Sequence, residues 1–243
     1  MFYLNGIKLL PVDLDEAIKI VSDSIHKKKG DYFCFANIHV VMEGIKNENY
    51  KIVLNNSSGN FPDGMGVAWA LKFIGNKFYD RVRGADFMLK LCEYASRNGL
   101  KVFFYGNTEE TLLLLSEKLK NLFPELNIAG SISPPFRPLT KEEDDVYVKK
   151  INDSGADILF VSLGAPKQEY WMYEHKERIK PIQLGVGAAF SFITGKVKQA
   201  PYWMQKSGLE WLYRLPQEPK KTIIRMSLVP EFLFRTFIQF LKH

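Results

Sequence analysis

Asp63 stands between Pro62 and Gly64, with Gly66 close behind, so a proline and two glycines hold a carboxylate on a short turn. A carboxylate there is ionised at neutral pH and can take the proton of an attacking hydroxyl, general-base work that typically contributes about 10²–10⁴-fold in rate. The same residue also suits an Asx-turn or a helix N-cap. Arg81 and Arg83 flank Val82 just ahead of Gly84. On an extended segment both point to one side, where two guanidiniums match a diphosphate. The alternative is a surface ion pair with Asp80 or Asp86. Gly106-Asn107, Gly164 and Gly187 each close an apolar run and precede a helical stretch. Glycine lets backbone amides approach a phosphate and a helix N-terminus favours its charge; the plain reading is a tight strand-to-helix turn. Lys167-Gln168-Glu169 follows Pro166 at a helix start, where a cation and an amide suit a sugar-nucleotide, or simply a solvated first turn. Neither GxGxxG nor GxxxxGK[ST] occurs; Gly185-Val186-Gly187 runs on into Ala188-Ala189-Phe190.

These residues fall at the ends of strands. Residues 2–10 read as a hairpin around Asn5-Gly6. A helix is expected from Asp13 to about Lys29, stopped by Gly30, then a buried strand at 31–36 and a helix from Ile38. Phe61 leads into the 62–66 turn and a helix over 67–75; another helix starts at Gly84-Ala85-Asp86 and ends near Asn98-Gly99. KVFFYG (101–106), 156–164 and 181–187 read as interior strands and 126–132 as a further strand. Helices follow Thr108, Thr140 and Pro166. Strand and helix in alternation argue for an α/β, Rossmann-like layered domain with a largely parallel sheet, in which ligands bind beyond the carboxyl ends of the strands.

Metal and cofactor are not called for. Asp13-Leu14-Asp15 is formally a DxD, but it opens the first helix, where acids favour the dipole. The four histidines are scattered, His39 alone lying close to the strand-end positions; Cys34 and Cys92 have no metal spacing and read as buried thiols. No leader opens the chain, so cytoplasmic residence is expected.

The tail, KKTIIRMSLVPEFLFRTFIQFLKH (220–243), differs from the rest. Five basic residues oppose Glu231, so it carries +4 of the chain's formal +6. That concentration argues against nucleic acid and for a basic, Phe-rich helix, kinked near Pro230, on an anionic bilayer surface. It cannot span, since no run of about 18 uncharged apolar residues exists. The rival reading is a helix packing on a second copy of the chain, a homo-oligomer. Two units are expected: an α/β core over 1–195 and a helical appendage over 196–243.

FANIHVVMEG, FPDGMGVAWAL, RVRGADFML, VFFYGN, GAPKQEYWM, GVGAAFSFITGKVKQAP and GLEWLYRLPQEP, in that order, resemble the WecG/TagA/CpsF family of bacterial glycosyltransferases over about residues 3–219. The resemblance implies inverting, metal-independent transfer of a sugar from a UDP-sugar to a polyprenyl-diphosphate-linked saccharide at the cytoplasmic membrane face, feeding teichoic acid, common antigen, capsule or exopolysaccharide. It implies Asp63 as base, matches Asn37, Arg83 and Gln168 to motif residues, and makes Arg214, Lys221 and Arg225 candidate basic groups that the C-terminal segment brings to the active site. UDP is then expected near Gly106, Gly164 and Gly187. One departure leaves the donor sugar open: Phe35 stands where members specific for N-acetylmannosamine-type donors often carry Thr. Two other classes are a nucleotide-sugar epimerase or dehydrogenase, disfavoured by the lack of GxGxxG and of a Tyr-x-x-x-Lys pair, and a membrane-attached sensor that binds a UDP-sugar without consuming it.

Overall fold

The computed structural model describes residues 2–26, 31–75 and 80–242. Its first elements are a small antiparallel hairpin, β1 (Phe2–Leu4) and β2 (Ile7–Leu9), turned at Asn5 and Gly6, both with positive φ (51° and 83°) as a tight primed turn requires. Helix α1 (Leu14–His26) follows; its expected end at Lys29–Gly30 lies outside the described residues. Asp13 accepts from Glu16 N at 2.9 Å and Asp15 pairs with Lys90, so the DxD residues serve a helix cap and an ion pair.

Then come β3 (Tyr32–Ala36), α2 (Ile38–Lys46), α3 (Glu48–Asn56), β4 (Gly59–Pro62), α4 (Met65–Gly75), α5 (Gly84–Arg97), β5 (Lys101–Gly106), α6 (Glu109–Leu122), β6 (Asn127–Ile132), α7 (Lys141–Asp153), β7 (Ile158–Ser162), α8 (Lys167–His175), β8 (Ile182–Gly185) and α9 (Ala189–Thr194). Six strands form one sheet in the order β4-β3-β8-β7-β5-β6, every pairing parallel. All six carboxyl ends therefore lie along one edge, which is what collects the candidate residues.

The interior strands are apolar on both faces because both are covered. Phe33, Phe35, Phe104, Phe160 and Leu184 face α1, α5, α6 and α9. Tyr32, Cys34, Phe103, Tyr105, Leu159 and Val161 face α2, α3, α4 and α8. Each set steps by two, the period of a strand. Cys34 and Cys92 are buried free thiols, as the sequence implies.

Two elements depart from expectation. The helix expected from Ile38 is two helices broken at Asn47, whose side chain accepts from Tyr50 N. Gly59-Asn60-Phe61-Pro62 is a strand at the sheet's edge, where a proline is tolerated. Buried Asn60 holds it, donating to the carbonyls of Lys8 and Leu54, both at 2.8 Å.

Beyond the sheet lie α10 (Tyr202–Lys206), α11 (Glu210–Arg214), α12 (Pro219–Ser227) and α13 (Val229–Leu241). The expected kink is a break at Leu228, with Pro230 in the first turn of α13, where its missing N–H costs nothing. One correction concerns the apolar stripe of the tail. Phe232 and Thr236 are buried against the body, Lys46 pairs with Glu231 at 2.7 Å, and Gln239 bonds Tyr3 O and Asn5 N, each at 2.7 Å. Ile223, Ile224, Leu233, Phe234, Phe237, Phe240 and Leu241 remain exposed.

Candidate active site

Asp63 is the first residue past β4. Its N–H donates to Ala36 O at 2.9 Å, so the turn is pinned to the end of β3. Asn37, next to Ala36, caps α2 through Val40 N at 3.2 Å, and its Cβ lies 3.7 Å from where a Cβ on Gly64 would sit. Asn37 and the Asp63 turn are thus neighbours. Val82 N donates to Pro62 O at 2.8 Å, extending the edge of the sheet by one contact; Val82 is buried, and Arg81 and Arg83 on either side of it both reach the C-terminal segment. Arg81 Nη1 meets Glu210 Oε2 at 3.0 Å. Arg83 donates to Asp86 at 3.2 Å, Gln205 Oε1 at 2.6 Å and Gln199 Oε1 at 3.1 Å. The expected pairing of Arg83 with Asp86 therefore exists alongside the contacts to the segment.

Arg214 closes the cluster. It donates to Glu210 Oε1 at 2.6 Å and its guanidinium lies 4.9 Å from the centre of the Phe192 ring, a cation–π arrangement. Glycine at 208 is what brings α11 down: with φ +74°, any Cβ there would strike the Trp69 ring at 2.5 Å.

The electrostatics follow from this packing. Burial is the main force pushing the Asp63 carboxyl up, to about 6; Glu210 adds to it, while Arg81, Arg214 and Arg83 oppose it. Burial would raise Glu210 too, but Arg214, Arg81 and Arg83 outweigh it and hold Glu210 below the usual carboxylate range. Burial and then Arg214 lower Arg225, which also feels Glu218 and Asp63. His39 is held below its ordinary value by burial and then by Arg225, against the opposing pull of Glu43. Lys221 is exposed and pairs with Glu218 at 2.6 Å, at the rim.

Along the same edge a second network ties β5, β7 and β8 together. Gly106 has φ +110° and an added Cβ would lie 2.4 Å from Ser162 O, so only glycine lets the strand ends approach this closely. Asn107, also left-handed at φ 66°, donates to Ser162 Oγ at 3.4 Å, and Ser162 Oγ donates to Gly187 O at 2.6 Å. Gln168 is buried. Its Oε1 accepts from Gly164 N at 3.2 Å and Gly187 N at 3.1 Å, and its Nε2 donates to Gly185 O at 2.8 Å and Glu169 Oε1 at 2.7 Å. The expectation that the Gly164 and Gly187 amides stand open to a phosphate is corrected here: in this structure both serve Gln168. Lys167 is exposed at the start of α8.

Two acids were not singled out from the sequence. Glu169 is fully buried, accepts from Tyr50 Oη at 3.0 Å, and is pushed by burial to about 7. Glu210 bridges Arg81 and Arg214. In sequence Glu210 lies in the GLEWLYRLPQEP stretch, four residues before Arg214. An open groove of about 610 Å³ runs beside α11, lined by Lys196, Lys198, Met204, Leu212 and Tyr213; Asp63 is not among its walls. Among the described residues no three His, Cys, Asp or Glu side chains gather where they could hold a metal.

The chain matches the family described as "Glycosyl transferase WecG/TagA/CpsF family" over residues 2–243. It belongs to that family. The matched residues run through α12 and α13. Two similar relatives carry one name, N-acetylglucosaminyldiphosphoundecaprenol N-acetyl-beta-D-mannosaminyltransferase. The protein of Bacillus spizizenii (strain ATCC 23059 / NRRL B-14472 / W23) is 31% identical over 210 residues, covering 86% of this chain and 79% of its own. That of Bacillus subtilis (strain 168) is 29% identical over 209 residues, with the same coverage. As a member of the family this protein is a glycosyltransferase.

Proposed function

We propose that this protein transfers a sugar from a UDP-sugar to a polyprenyl-diphosphate-linked saccharide in one inverting displacement, with Asp63 as general base. The observation that carries this is Asp63 itself: a carboxyl held near 6 at a strand's carboxyl end, in the field of Arg81, Arg83, Arg214 and Arg225. A base poised close to neutral pH accepts the acceptor hydroxyl's proton as the bond to the anomeric carbon forms. The leaving diphosphate gains charge, and the guanidiniums stabilise it without a metal. Asn37, beside Asp63, orients donor or acceptor; Gln168 holds the glycine loops after β7 and β8; Gly106, Asn107 and Lys167 border the nucleotide along the same edge. Lys221 sits at the rim and meets the lipid-linked diphosphate.

Among the described residues no helix is long and apolar enough to cross a membrane. The exposed surface nonetheless suits a peripheral position on the inner face of the cell membrane. Trp69 and Phe73 on α4 are half exposed; Trp69 abuts Gly208, and the Phe73 ring lies 4.4 Å from that of Phe240. These join α10–α11, with exposed Tyr202 and Trp203, to the outer face of α13 in one apolar surface flanked by basic side chains. α4 starts two residues after Asp63, so the base lies at the root of the helix that meets lipid.

The names of the relatives make UDP-N-acetylmannosamine the first donor to test. Phe35 is a core residue, its ring 5.6 Å from Phe61 and 5.1 Å from Phe87. A panel of UDP-sugars offered with a lipid-diphosphate sugar and read by product mass tests the reading. Product from the native chain and none from Asp63→Ala, with UDP still bound, supports it; undiminished product from Asp63→Ala removes Asp63 as base, and UDP-sugar binding without any product leaves a sensor.

A further inference from the structure

We propose that Glu210 is a positioning residue for this transfer: its carboxylate bridges Arg81 of the sheet edge and Arg214 of the C-terminal segment, and so sets two guanidiniums and one negative charge around Asp63. The inference rests on the reading of Asp63 as base. The geometry is a two-sided ion pair. Oε2 meets Arg81 Nη1 at 3.0 Å and Oε1 meets Arg214 Nη2 at 2.6 Å, with the three side chains only 17%, 9% and 23% exposed. Pairs this sheltered are little screened by salt, and removing one partner strands the others.

The bridge joins residues 129 apart in sequence, so it is a long-range fastening of α11 to the body. α11 has no fully buried residue, so apolar packing holds it weakly. Trp69 against Gly208, Arg214 over the Phe192 ring and the Glu210 bridge are among the contacts that tie it to the body. Without Glu210, Arg81 and Arg214 would repel each other across the site. With it, both are held apart at a fixed spacing, and each keeps donors free for a diphosphate, because a guanidinium has five N–H groups.

The charges facing Asp63 come from three elements: Arg81 and Arg83 from the segment before α5, Glu210 and Arg214 from α11, and Arg225 from α12, with Asp86 and Glu218 paired behind Arg83 and beside Arg225. Among these Glu210 is the acid that raises Asp63, and its effect ranks above that of each arginine. It therefore does two things at once: it orients the cations that receive the leaving group, and it keeps them from making Asp63 too weak a base.

The test is the pH dependence of kcat/KM in three variants. Glu210→Gln removes the charge and keeps the shape; the acid limb is expected to move down by about one pH unit, with a loss in rate at pH 8. Arg81→Gln is expected to move the limb the other way. Glu210→Asp should restore the native limb in part. A helix that had merely come loose would lower the rate without shifting the limbs in opposite directions. If Glu210→Gln does not fold, the double variant Arg81→Gln/Glu210→Gln leaves one guanidinium, Arg214, without its carboxylate instead of two, and its limb should still fall below the native one. An acid limb unmoved in Glu210→Gln or in the double variant, in protein that melts like the native chain, overturns the proposal. Full turnover in Asp63→Asn would instead overturn the reading of Asp63, and the two failures cannot be confused.

Discussion

Replacing Gln168 with Leu decides whether the amide touches substrate or shapes the loops that do. In the structure Gln168 accepts from the N–H groups of half-buried Gly164 and Gly187 and makes two fully buried donations, to Gly185 O and Glu169, beyond the ends of β7 and β8. Leucine fills nearly the same volume and makes none of these bonds. Two amide donors lose their acceptor and a buried carboxyl loses one of its donors. Each buried group left unsatisfied costs about 1–3 kcal/mol, and the loops can relax toward water, so a total of about 3 kcal/mol is expected. Urea denaturation followed by fluorescence should show that loss, and calorimetry with UDP should show weaker binding, since the loops bordering the nucleotide are no longer tied. Gln168→Glu sharpens the test. It sets a second carboxyl at hydrogen-bond distance from Glu169, so stability should fall at pH 8 and recover toward pH 5, where a shared proton replaces the lost donor. A Gln168→Leu variant with native stability and native UDP affinity but no transfer would refute this reasoning and place the amide on the reacting groups.

Other outcomes follow from the same geometry. With Asp63 near 6, about nine-tenths of the base is ionised at pH 7 and about one-tenth at pH 5, so kcat/KM should fall roughly tenfold across that interval; an acid limb near 4 would mean an unperturbed carboxylate. Ile224→Glu with Phe237→Glu alters two exposed side chains and should leave the melting temperature nearly unchanged while weakening binding to anionic vesicles at least about tenfold; unaltered vesicle binding would clear the outer face of α12 and α13 of that role. Phe232→Ala should behave oppositely, costing about 3–5 kcal/mol of stability, because this ring belongs to the core.

The parallel sheet was legible because β3, β5 and β7 are near-continuous apolar runs bounded by glycine or polar residues, β8 is interrupted only by Gln183, and the caps at Thr108 and Thr140 are local chemistry that the structure repeats. β4 was not. Its four residues include Gly, Asn and Pro, and only its pairing with β3 and the bonds of Asn60 make it a strand. Yet β4 is what delivers Asp63 to the edge. α3 hid for a similar reason: Tyr50, Val53 and Leu54 are its only buried side chains, and the break at Asn47 depends on a capping bond. The site shows the same division. Asp63, Arg81 and Arg83 announced themselves through neighbours in sequence. Glu169 and Glu210 did not, because an acid in the first turn of a helix ordinarily serves the dipole, and what distinguishes these two is burial against Tyr50 in one case and Arg81 in the other, partners more than 100 residues away.

The position of Asp63 has a consequence for stability that separates a tuned base from a comfortable ion pair. Its carboxyl is raised from 3.8 to about 6 by burial and Glu210, against the pull of three arginines. A group bound more tightly to its proton in the folded state favours folding fully below the unfolded pKa and loses that contribution as pH rises through the folded one. By this linkage the ionised carboxylate costs about 3 kcal/mol of stability at pH 8 and about 1 kcal/mol at pH 4.5. Asp63→Asn removes the charge and keeps the shape. It should abolish transfer and at the same time stabilise the protein, by an amount that shrinks by about 2 kcal/mol between pH 8 and pH 4.5; Glu169 is unchanged in both proteins and drops out of the comparison. Such an exchange of stability for activity is the expected mark of a catalytic carboxylate held where it is needed rather than where it is most stable. Denaturation of the native and Asp63→Asn chains at the two pH values measures it. If the variant is the less stable protein at pH 8, the arginines outweigh burial and Glu210, and Asp63 is a satisfied structural anion whose proton affinity is too low for the role assigned to it.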